Sequence, residues 1–142
     1  MKIYIFLMIL IIPYVASAMS LGNTKVNMQV MVTIIPPLKL KVNDLDFDTL
    51  VKPITGKKMY QADTELYLYG APKQSVKITL AKQVTIENKK NKLIVWLSLA
   101  NKKLILNRRG KAYSIITGVI KLTPLTKTGD YSGQTTITAS YF

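Results

Sequence analysis

The chain has 142 residues, a length for one domain, and carries 20 Lys and Arg against 7 Asp and Glu, a formal net charge of +13. It contains no Cys and no His. That excludes disulfides, a Cys- or His-built zinc site and the commonest general base.

The first residues read as a targeting segment. Lys2 precedes an apolar run over residues 3–15, broken only by Pro13, and Ala16-Ser17-Ala18 places small residues where a signal peptidase cuts. The run is shorter than the ~20 residues that span a bilayer. The expectation is a signal peptide over residues 1–18, cleaved after Ala18, with an uncleaved N-terminal anchor as the alternative. The mature chain is then exported: periplasmic in transit, and afterwards at the cell surface.

Period-two alternation dominates the rest of the chain, which is the strand signal. Over residues 24–34, Val26, Met28, Val30, Val32 and Ile34 share one face, and Pro36-Pro37 ends the run. Leu38, Leu40 and Val42 alternate with Lys39, Lys41 and Asn43. Asp44, Asp46 and Asp48 then share one face of a short extended piece. Residues 64–69 form a strand with Leu66 and Leu68 on one side and Glu65, Tyr67 and Tyr69 on the other. Val76, Ile78 and Leu80 mark the next strand.

Residues 84–86 lead through a polar turn into residues 93–99, where Trp96 is expected in the core. Asn101-Lys102 reads as a two-residue hairpin turn into residues 104–106. Residues 113–122 form a further strand containing Gly118. In the last strand, Tyr131, Gly133, Thr135, Ile137, Ala139 and Tyr141 face one way, opposite a polar face, with Phe142 at the end. Tyr113, Tyr131 and Tyr141 are assigned to core packing. Seven to nine short strands with turns between them predict an all-β fold, an antiparallel immunoglobulin-like β-sandwich, with a closed barrel as the alternative.

No catalytic constellation is legible. There is no nucleophile elbow and no Gly-rich phosphate loop opening a helix. The aspartate trio lacks the glycine turn and distal Glu of a calcium loop, so a solvated face is its expected role. No metal, cofactor or catalytic residue is assigned, and the chain is expected not to be an enzyme. The lysines gather at turns: Lys57-Lys58, Lys89-Lys90 with Lys92, Lys102-Lys103, and Arg108-Arg109 with Lys111. Their default role is to solvate loops and blunt strand edges. The alternative is a site for a polyanion. The clusters lack the interleaved aromatics of single-strand binders, so nucleic acid is not the expected partner.

The strand after the signal, the piece Leu45-Asp46-Phe47-Asp48, the strands around Leu66 and Val76, and the ending Gly129-Asp130-Tyr131-Ser132-Gly133 through Tyr141-Phe142 together carry a resemblance. The sequence resembles bacterial fimbrial subunits of the chaperone–usher type and related exported sandwich domains. The resemblance implies a non-catalytic subunit of a pilus-like fibre, assembled by donor-strand complementation. It implies an N-terminal extension over residues 19–35, a sandwich over residues 36–142, and a donated face of Val26, Met28, Val30 and Val32. It further implies a last strand, with Ile137, Ala139, Tyr141 and Phe142, that borders the acceptor groove and is first held by a periplasmic chaperone. The partners are then other copies or related pilus subunits, the chaperone, an outer-membrane usher, and an anionic host surface. Two departures stand out: the disulfide of many such subunits is missing, and the lysine content is high. Two alternatives stay open. Residues 24–35 form an ordinary first strand of their own sheet, or the chain is a monomeric exported module recognising anionic glycans or surfaces through its basic loops.

Overall fold

The structure, a computed structural model, describes residues 25–142. The expected signal peptide and its cleavage site lie outside the described residues. The chain divides into two units, Met1–Val32 and Thr33–Phe142. In the first, residues 25–32 carry no strand. Val26, Met28, Val30, Met31 and Val32 are all more than three-quarters exposed. Of the strand expected over residues 24–34, the described residues 25–34 form none. Alternation alone does not make a strand, because a β backbone needs a ladder partner for its N–H and C=O groups.

All regular structure among the described residues is β. The second unit holds β1 (Lys39–Val42), β2 (Lys58–Tyr69), β3 (Ser75–Leu80), β4 (Gln83–Asn88), β5 (Asn91–Leu99), β6 (Lys103–Ile105), β7 (Lys111–Leu122) and β8 (Ile137–Tyr141). They form two antiparallel sheets. One has five strands in the order β1-β2-β7-β5-β4, the other three in the order β6-β3-β8. The spine of the larger sheet is the β2–β7 pair, in register from Lys58↔Leu122 to Tyr69↔Lys111.

Strand parity decides what is buried. Leu66 and Leu68 of β2 and Ile116 of β7 point inward from the larger sheet. They meet Val76 and Ile78 of β3, together with Leu106, in one buried cluster. Burying each such side chain stabilises the fold by about 1.5–3 kcal/mol. A second cluster, Val95, Ile120 and Leu122, lies on the same inner face of the larger sheet. Half-buried Phe47 and Leu50 pack on it, rather than side chains of the smaller sheet. Gly118 explains how they fit. A Cβ there would overlap Leu45 Cδ2 and stand 3.0 Å from Phe47 Cζ, so glycine leaves room for residues 43–50 to cross the sheet.

Several expectations are revised. Trp96 is 41 % exposed, on the outer face of β5: inward Val95 and half-buried Leu97 flank it, so parity turns it out. Tyr113 is 63 % exposed for the same reason, between half-buried Ala112 and buried Ser114 of β7. Asn101-Lys102 is no hairpin turn. β5 pairs with β7 whereas β6 pairs with β3, so residues 100–102 cross between sheets. Ser114 Oγ holds that crossing by accepting from Asn101 N at 3.2 Å. The extended aspartate face is broken as well. Asp48 has φ 54°, and its N–H donates to Asp46 Oδ1 at 2.8 Å, making a tight turn. Finally, the last strand begins at Ile137. Residues 131–136 contribute a single bridge, Glu87↔Ser132, to the edge of β4 before the chain joins β3 in the other sheet.

Candidate functional site

β8 has a ladder partner on one side only. It pairs with β3 from Val76↔Tyr141 to Leu80↔Ile137 and has no strand on its other edge among the described residues. Ile137, Ala139 and Tyr141 are half-buried on the core cluster, as parity requires, and Thr138 and Ser140 are exposed. Phe142 is 63 % exposed, with Lys103 Nζ 5.1 Å from its ring centroid. Tyr141 makes the most specific contacts of this group. Its hydroxyl accepts from Ala71 N at 2.8 Å and donates to Pro36 O at 3.0 Å. It sits over Gly70, where a Cβ would overlap the phenol oxygen. One side chain thus ties the last strand to the β2–β3 turn and to the segment entering β1.

A cleft of about 890 Å³ opens on the inner face of the larger sheet. Its apolar floor includes Val84, Ile86, Leu93, Ile120 and Leu122, and Leu80 and Ile137 lie at the side of the smaller sheet. Its other walls are the coil segments around residues 42–52 and 126–135, which bring Asp44, Asp46, Asp48 and Asp130 to it. The cleft lies where three strands face five: beyond β3 and β8, irregular chain borders the larger sheet. Ile137 alone of the four last-strand residues lines the cleft. Val26, Met28, Val30 and Val32 stand in the exposed segment of residues 25–32.

Among the described residues, no group of three or more Asp or Glu side chains is placed to hold a metal ion. The Tyr67 hydroxyl donates to Glu65, and this hydrogen bond raises the phenol pKa above its ordinary 10.0.

A second surface was invisible as a unit in the sequence. On the outer face of the larger sheet, Lys39 stands opposite Tyr69, which stands opposite Lys111; in the next row Lys41, Tyr67 and Tyr113 are aligned in the same way. Lys111 Nζ lies 5.8 Å from the Tyr69 ring centroid. The basic turns also divide between the two ends of the sheet. The turns carrying Lys73 and Arg108-Arg109 are stitched together by Gly70 N donating to Gly110 O at 2.8 Å, at the end where Tyr69 and Lys111 pair. Lys89-Lys90 close the β4–β5 hairpin at the other end.

Compared with known proteins, the chain matches no family model and no curated sequence.

Proposed function

We propose that this chain is a non-catalytic structural subunit of an exported fibre of the pilus type, completed by a β-strand from a neighbouring copy. The fold reads as an immunoglobulin-like sandwich that lacks one strand beside β8. The observation that carries the reading is the apolar cleft next to a strand with one unpaired edge. An incoming strand would gain main-chain hydrogen bonds along β8 and bury every second side chain in the cleft. The segment with Val26, Met28, Val30, Val32 and Ile34 exposed at period two has the required pattern. Lys25 at its start complements the aspartates around the cleft. Five such side chains would yield roughly 10 kcal/mol gross on burial. Ordering a segment of chain and losing free tumbling offset much of that. Such a contact is head-to-tail and does not close, so it builds a filament. Until a donor arrives, exposed apolar surface and an open strand edge invite aggregation. That is the physical need a periplasmic chaperone and an outer-membrane usher would meet.

The test is size against concentration for residues 19–142 and for a version lacking residues 19–34. The expected result is polymer from the first. The second is expected to be a monomer whose melting temperature rises when a peptide of residues 25–34 is added. A monomer at every concentration in both cases, with no response to the peptide, would refute strand donation.

A further inference from the structure

We infer that the outer face of the five-stranded sheet, at the end formed by Lys39, Lys41, Tyr67, Tyr69, Lys111 and Tyr113, is a binding surface for an acidic polysaccharide. Direct cross-strand pairing places these six residues in a two-by-three grid, one row Lys39–Tyr69–Lys111 and the other Lys41–Tyr67–Tyr113. Strand geometry puts neighbours across the ladder about 5 Å apart and neighbours along a strand about 7 Å apart. The result is a platform of three ammonium groups and three phenol rings, Lys-Tyr-Lys in one row and Lys-Tyr-Tyr in the next. Tyr113 is 63 % exposed and the three lysines are exposed, whereas Tyr67 and Tyr69 are half-buried.

Three physical features select the ligand. Sugar rings present C–H faces that stack on aromatic rings, and their carboxylate or sulfate groups pair with ammonium ions, so lysines set beside tyrosines match a polymer of acidic sugars. Lys111 Nζ lies 5.8 Å from the Tyr69 ring centroid, so a charged group and an aromatic ring stand side by side at the edge of the platform. Arg108 and Arg109 stand on the adjoining turn and extend the positive field past the platform. Toward the middle of the sheet the sign reverses. Glu65 holds the Tyr67 hydroxyl, and Asp63 accepts from Thr117 Oγ1 at 2.6 Å. An extended polyanion is therefore confined to one end of the face, which suits a short run of sugars better than a long nucleic acid strand. The choice of polysaccharide over nucleic acid also rests on the exported reading. The surface itself is independent of strand donation, since it lies on the opposite face of the sheet from the cleft.

The test uses the full mature chain, residues 19–142, and measures binding to heparin, polygalacturonate, neutral dextran and a single-stranded oligonucleotide over a range of salt. Heparin or polygalacturonate is expected to bind and dextran not. Lys39→Gln/Lys41→Gln/Lys111→Gln should weaken binding at least tenfold and flatten its salt dependence. Tyr67→Ala/Tyr113→Ala should also weaken it about tenfold but leave the salt slope unchanged, because no ion pair is lost. The control, Lys57→Gln/Lys89→Gln/Lys90→Gln, removes the same charge at the other end of the sheet and should change affinity less than threefold. Equal losses in the control and in the platform lysine variant would overturn the site, because binding would then follow net charge alone. Tighter binding of the oligonucleotide than of either acidic polysaccharide would overturn the choice of ligand. Since strand donation is read from polymer size, failure of one reading leaves the other standing.

Discussion

Tyr141 illustrates what a single side chain decides. Its ring packs on the core cluster while its hydroxyl joins Ala71 N and Pro36 O. Tyr141→Phe keeps the ring and removes both hydrogen bonds, so it should cost about 1–2 kcal/mol, read as a lowered denaturant midpoint at unchanged slope. Tyr113→Ser, on the open face, should lie within about 0.5 kcal/mol of the parent in the same assay. Tyr67 gives a spectroscopic prediction. Its raised pKa means that the folded state holds the phenolic proton more tightly than the unfolded chain. The interaction is therefore intact below pH 10.0 and is lost as pH rises through the higher folded-state value. Glu65→Gln should bring the Tyr67 titration, followed by carbon NMR of the ring, back down toward the ordinary phenol value.

Two elements depend on contacts that no local pattern announces. Gly118 lies in a β-branched strand where glycine costs stability, yet it is the place where Leu45 and Phe47 cross. Gly118→Val should cost roughly 1–3 kcal/mol by displacing residues 43–50, and it should loosen amide-exchange protection around Phe47. Ser114 is 1 % exposed and its hydroxyl serves Asn101 N. Alternation at β2 and β3 was legible in the sequence because the two sides of those strands differ in polarity: Leu66, Leu68, Val76 and Ile78 are buried together on one side. Residues 93–99 were ambiguous because both faces are apolar. Burial of Val95 and Leu97 then left Trp96 outside, although its chemistry pointed inward. The β5–β6 connection was misread because a short polar turn looks the same whether its strands pair or part.

At the scale of the molecule, the inner face of the larger sheet outruns the smaller sheet, and the chain supplies an exposed apolar segment at the other end of its sequence. Val30→Asp, at a residue 77 % exposed, should leave the melting temperature of the monomer within a degree or two. On the strand-donation proposal, the same change should abolish concentration-dependent assembly in sedimentation, because it would bring a carboxylate among the apolar groups of the cleft. A parallel loss of monomer stability would mean that the segment belongs to its own domain.

The sequence by itself determined the class of fold, the absence of thiol and imidazole chemistry, and the inward faces of the strands whose two sides differ in polarity, because alternation is a local property of the backbone. Pairing partners are not local. Only the tertiary structure decided that residues 25–38 carry no strand, that three strands cover five, and that Lys39, Tyr69 and Lys111 stand in one row. Each depends on which ladder a segment joins, and hydrogen bonds and burial settle that over the whole fold.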